Sequence, residues 1–90
     1  MLRVSVILHA DTITIKLEGK LLADWCSEVA GAFDHVAADF GTAAIRLDLY
    51  DLIFVDVTGT ELVRSLLARG AKLSRSSSYV AELLKPERVR

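Results

Sequence analysis

The stretch LDLYDLIFVDVTG, residues 47–59, decides the fold of this 90-residue chain. It opens inside an alternating segment, residues 44–49, whose period of two predicts a strand with one buried face. A turn leads into a short apolar run, residues 52–55, which predicts a second strand. Thr58 and Glu61 then have the spacing of a capping box. A helix is therefore predicted to begin near Thr58, with Thr58 as its N-cap.

Two strands and a helix are predicted before this stretch. Residues 2–8 and 12–18 form the strands, and the second of them alternates apolar and polar side chains until Gly19 ends it. The helix is predicted to run from Asp24, as N-cap, to about Asp39. Its apolar stripe should pack on the sheet and consists of Trp25, Val29, Ala32, Phe33, Val36 and Phe40.

Further elements are predicted after the stretch. The second helix should stop at Gly70, which is placed as a C′ glycine. A last short strand is expected over residues 71–74. A third helix should follow from the serines at 76–78, closed by Pro86, with residues 87–90 as a frayed tail.

Length and composition fit a single domain over residues 1–90. Hydrophobic residues make up 52% of the chain, and 11 Lys and Arg against 12 Asp and Glu leave a net charge of −1. We expect an α/β fold with a four- to five-stranded sheet and about three helices packed on one face. The charge balance speaks against nucleic-acid binding, and charged residues interrupt every apolar stretch, so no membrane insertion is expected. Cys26 has no internal disulfide partner, which favours a cytoplasmic location.

Residues 47–59 resemble the signature of STAS domains, the fold of bacterial anti-sigma factor antagonists. That signature is an apolar strand ending in Asp, a short turn, an apolar run, and Asp-Ser-Ser/Thr-Gly at the start of a helix. Residues 17–21 and 69–73 are similar to two further segments of the family. Two departures stand out: Val57 occupies a position where Ser is common, and the family's Asp after Gly-Arg-Leu is missing.

The resemblance implies a non-enzymatic module that binds a protein partner, an anti-sigma factor or a related regulatory serine/threonine kinase. In the family, the hydroxyl directly before the Gly is phosphorylated by the partner kinase, and by position this is Thr58. The oligomeric state is not indicated. The implied partner-binding residues lie at the start of the second helix: Asp56, Val57, Thr58, Gly59, Thr60 and Glu61, with Arg64 one turn further.

Several alternatives stay open from the sequence. Thr58 could be a helix cap without any switch, and Thr60 offers a second hydroxyl two positions away. The chain also resembles, in length and in a Thr before the motif Gly, the STAS-like accessory subunit of a bacterial ABC lipid transporter, which would bind its ATPase constitutively. Another alternative is a Mg²⁺-dependent enzyme that uses Asp48, Asp51 and Asp56. This chain, however, lacks the acidic pair that a receiver domain has after its first strand. No catalytic residue, cofactor-binding residue or metal ligand is therefore predicted.

Overall fold

The computed structural model describes residues 1–85 and consists of one five-stranded mixed sheet with three helices. The predicted closure at Pro86 and the tail at residues 87–90 lie outside the described residues. A short 3₁₀ turn, Thr42–Ala44, follows the first helix. The elements are β1 (Leu2–His9), β2 (Thr12–Leu21), α1 (Ala23–Phe40), β3 (Ile45–Leu49), β4 (Leu52–Val55), α2 (Val57–Ala68), β5 (Lys72–Ser76) and α3 (Ser78–Leu84).

The sheet is ordered β1-β2-β3-β5, and β4 pairs with the carboxyl-terminal end of β2. β1 and β2 form an antiparallel hairpin, whereas β3, β4 and β5 join by parallel pairing. The first half of β2 pairs with β3 and its last residues pair with β4. The carboxyl ends of β2 and β4 therefore lie side by side, and α1 and α2 start directly after them.

The core confirms the predicted packing of the first helix on the sheet. Val29, Phe33 and Val36 of α1 are buried, and Trp25 packs against the core from a half-buried position. Phe40 was expected on the same stripe, but it is 54% exposed because it is the last residue of α1, beyond the turns that cover the sheet. The strands contribute the buried residues Ile13, Ile15, Leu17, Leu21, Ile45, Leu47, Leu49, Leu52 and Val55.

The prediction that Gly19 ends the second strand is wrong, because β2 continues to Leu21. Gly19 has φ of +105°, which an L side chain rarely adopts, and the pairing of β2 with β4 shifts register at this point. Its N–H donates to the carbonyl of Asp51 at 3.1 Å. The glycine thus occupies the irregular position of β2 at which the pairing with β4 begins.

Candidate partner-binding site

Asp56 holds the starts of two helices with one carboxylate. It is the N-cap of α2, and its Oδ1 accepts a hydrogen bond from the N–H of Gly59 at 2.7 Å. Its Oδ2 accepts from the N–H of Ala23, the first residue of α1, at 2.8 Å. Free N–H groups and the positive end of the helix dipole both favour a carboxylate at such a position. The motif Asp therefore joins α1 to α2 as well as beginning α2.

The register of the sheet explains why one side chain reaches both helices. The N–H of Asp56 donates to the carbonyl of Leu21 at 3.1 Å, so the parallel pairing of β4 with β2 continues up to the helix starts. The first residues of α1 and α2 are held at neighbouring positions by this pairing.

The structure corrects two predicted caps. Thr58 is not the N-cap of α2; that position belongs to Asp56, and Thr58 is an exposed residue of the first helical turn. Asp24 is not the N-cap of α1, which is Leu22 with no side-chain cap of its own. In both cases the Asp56 carboxylate accepts the side-chain hydrogen bond at the helix start, from the N–H of Gly59 in α2 and of Ala23 in α1.

The two hydroxyls of the motif have opposite environments. Thr60 is only 9% exposed, and its Oγ1 donates to the carbonyl of Asp56 at 3.0 Å. Thr58 is exposed. Of the two threonines that the sequence left in competition, Thr58 is thus the one that a second protein can reach.

Gly59 is needed for close packing, not for an unusual backbone conformation. A Cβ at this position would lie 2.8 Å from the carbonyl oxygen of Leu21 and 2.9 Å from Cγ1 of Val55. No real Cβ comes so close to backbone, so any side chain would push α2 away from the ends of β2 and β4. The missing side chain lets the first turn of α2 lie against the sheet.

A cavity of about 270 Å³ opens beside this helix start, between β4, α2 and α3. Arg64 closes one side of it by donating to the carbonyls of Leu83 at 2.8 Å and Lys85 at 3.3 Å. The cavity brings together five of the seven residues predicted to bind a partner. Its lining consists of Val55, Asp56, Val57, Thr60, Glu61, Arg64 and Leu83.

Sequence reasoning missed Tyr79 as part of this site. Its hydroxyl accepts a hydrogen bond from the N–H of Val55 at 3.1 Å and lies 3.5 Å from the carbonyl of the same residue. Tyr79 therefore fixes α3 against the end of β4. In the sequence, the only indication of this contact is that an aromatic residue lies near the start of the predicted third helix.

Exposed apolar side chains surround the motif. Ile53 is 69% exposed, Phe54 is 45% exposed and Val57 is 75% exposed, so three large apolar residues reach solvent within five positions. The apolar run at residues 52–55 forms the predicted strand, in which Leu52 and Val55 are buried and Ile53 and Phe54 are exposed. The helix start is thus bordered by apolar surface.

Cys26 lies near this site, on the first turns of α1. Its Sγ is 3.5 Å from the carbonyl of Leu22. Partial burial, and after it the negative charge of Asp56, raise the pKa of the thiol. Both causes favour the protonated thiol over the thiolate.

The three motif aspartates do not converge on one point. Asp48 lies 3.6 Å from the guanidinium of Arg75, and Asp51 lies 3.5 Å from the ammonium of Lys16. Asp56 is engaged by the two helix starts. Within residues 1–85 no group of three His, Cys, Asp or Glu side chains is arranged to hold a metal ion. Over the same residues, no helix combines the length and apolarity that a bilayer crossing requires.

Comparison with known proteins finds solved structures of similar fold but no matching sequence family. No family model matches the chain, and no curated protein matches it. Among solved structures, an anti-sigma factor antagonist from Mycobacterium paratuberculosis superposes with a TM-score of 0.73 at 16% identity, over 86% of this chain and 69% of that one.

Two further structures share the architecture. An uncharacterized protein with a SpoIIAA-like fold from Shewanella loihica gives a TM-score of 0.59 at 13% identity, over 87% of this chain and 69% of that one. The protein Mglu also gives 0.59, at 22% identity, over 81% of this chain but only 19% of its own. The sheet order, the three helices and these superpositions establish that the chain has the STAS-like α/β fold, as found in an anti-sigma factor antagonist.

Proposed function

We propose that this chain is a non-enzymatic regulatory module that docks a protein partner through the start of α2. The partner class is an anti-sigma factor or a related regulatory serine/threonine kinase, and phosphorylation of Thr58 is the switch. The observation that carries the proposal is the position of Thr58, exposed on the first turn of α2 beside apolar surface, while Thr60 is buried. The fold shared with an anti-sigma factor antagonist supports the partner class.

The surface has the composition of a docking site. Val57 and Ile53 provide exposed apolar area, and Glu61 and Arg64 provide charges around the cavity. Protein interfaces commonly combine an apolar centre with a polar rim. The partner would therefore cover Val57 and meet Thr58 directly.

Phosphorylation of Thr58 would alter the surface more than the fold. Thr58 is not the cap of α2, and Asp56 already supplies the carboxylate that the helix start favours. A phosphate adds roughly −1.5 to −2 charges next to this carboxylate. A partner that covers Val57 would then have to desolvate a dianion next to a second negative charge, which opposes docking.

The docking surface can be tested with Val57→Lys, measured by titration calorimetry against the anti-sigma factor kinase encoded nearest to this chain in its own genome. The substitution places a charge at the proposed centre, and we expect the dissociation constant to rise by roughly tenfold or more. Phe40→Lys is the matched control, because Phe40 is also exposed but lies at the other end of a different helix. Unchanged binding by Val57→Lys would contradict the proposed surface.

A further inference from the structure

The outer edge of β1 is unprotected. β1 is the last strand of the sheet, and nothing within residues 1–85 pairs with its outer side. Its register with β2 runs from Leu2 to His9 without a bulge. Natural proteins usually block such edges with lysines, prolines or bulges, and β1 contains one charged residue, Arg3, and no proline. A long regular edge of this kind is a template for a further strand.

On the face of the sheet that is covered by the core, the side chains of β1 are apolar. Val6 and Leu8 lie opposite Ile15 and Ile13 of β2, and residues opposite one another share a face of the sheet. The β2 residues are buried, whereas Val6 is 52% exposed and Leu8 is 67% exposed. The packing of α1 against β2 and β3 leaves this half of β1 uncovered.

We propose that β1 pairs antiparallel with β1 of a second copy of this chain, so that the two sheets form one continuous ten-stranded sheet. The occupant is a second copy because a two-fold antiparallel pair brings the exposed apolar side chains of the two β1 strands together on one face, so that each copy covers the surface that the other leaves open. In the register that centres the exposed side chains, Val6 stands opposite Val6 and Val4 stands opposite Leu8. A register displaced by one residue would place Val6 opposite Ser5 and put the helices of the two copies on opposite faces.

The backbone supplies the rest of the interaction. Two strands of this length exchange roughly six to eight main-chain hydrogen bonds in an antiparallel pair. The docking surface lies at the start of α2, directly after β4. Because β1 and β4 pair with opposite edges of β2, a dimer formed through β1 leaves that surface accessible. The dimer does not depend on the proposed partner or on Thr58.

Sedimentation equilibrium of the full chain over a range of concentrations tests the proposal. The unmodified chain should associate to a dimer, and Val6→Lys should raise the dissociation constant roughly tenfold or more, because two lysines then face each other. Phe40→Lys is the control, since Phe40 has nearly the same exposure and lies outside β1. Circular dichroism checks that both variants are folded. A wild-type chain that stays monomeric, or a Val6→Lys variant that dimerises like the wild type, would overturn the proposal.

Two further measurements test the register. A mixture of Val6→Lys and Val6→Glu chains should form a heterodimer, because opposite charges then meet at the central pair. With Cys26 replaced by Ser, Val6→Cys should form a disulfide-linked dimer under mild oxidation, since opposed strand residues lie within disulfide range. Ser5→Cys in the same background should not. Cross-linking through Ser5→Cys in place of Val6→Cys would contradict the pairing.

Discussion

Replacing Asp56 by Ala should destabilise the protein more than any other single change at the surface of the motif. The substitution removes the hydrogen bonds from Gly59 N–H at 2.7 Å and from Ala23 N–H at 2.8 Å. Each cap is worth about 1 kcal/mol. Each helix start also loses a favourable carboxylate, at about 0.3–1 kcal/mol. The expected loss in the free energy of unfolding is therefore about 2.6–4 kcal/mol, a large share of a typical domain stability of about 5–15 kcal/mol.

Urea denaturation followed by the fluorescence of the single tryptophan, Trp25, measures this loss, because Trp25 lies on the first turn of α1. Asp56→Asn keeps one acceptor oxygen but loses the negative charge at both helix starts, so it should lose about 1.6–3 kcal/mol. Asp24→Ala is the control: Asp24 is an exposed acidic residue in the first turn of α1 that accepts no cap hydrogen bond, so its removal should cost only about 0.3–1 kcal/mol. Equal losses for Asp24→Ala and Asp56→Ala would refute the assignment of both caps to Asp56.

Two further predictions concern the core and the thiol. Phe33 is fully buried, so Phe33→Ala should lower the free energy of unfolding by about 3–5 kcal/mol, and an unchanged melting midpoint would contradict its place in the core. The raised pKa of Cys26 means that the folded protein keeps the thiol proton to a higher pH than the unfolded chain. The stability it contributes is present below the unfolded pKa and falls as the pH rises above it. The pH midpoint of alkylation by iodoacetamide should therefore be higher in the folded than in the urea-unfolded protein. Asp56→Asn should lower the folded midpoint only part of the way to the unfolded one, because burial is the larger cause of the raised pKa. A folded midpoint at or below the unfolded one would be the contrary result.

Local patterns in the sequence predict the elements of this fold well, because strand alternation and the helical stripe report directly on one buried face. Val29, Phe33 and Val36 were identified this way and are buried. The caps were not predictable in the same manner. The capping-box spacing fits Thr58, yet the actual cap is Asp56, whose carboxylate also reaches Ala23, 33 residues away in the chain.

The exposed border of the site was missed for a related reason. The apolar run at residues 52–55 predicts a strand but does not show which of its side chains are covered, and β4 has only four residues and pairs with the end of β2. Ile53 and Phe54 consequently reach solvent. The three-dimensional arrangement shows which of the two threonines is accessible: Thr60 is buried and donates to the carbonyl of Asp56, whereas Thr58 is exposed.

The most direct test of the proposed switch is the affinity of the proposed partner, an anti-sigma factor kinase, for Thr58→Glu, compared by calorimetry with the wild type and Thr58→Ala. Thr58→Glu should weaken binding at least tenfold, or about 1.4 kcal/mol, without lowering the melting temperature. Thr58→Ala should bind like the wild type and change the stability by no more than about 0.5 kcal/mol, because Thr58 caps nothing. Equal binding by all three proteins, or loss of binding in a folded Thr58→Ala variant, would contradict the switch and favour a constitutive contact.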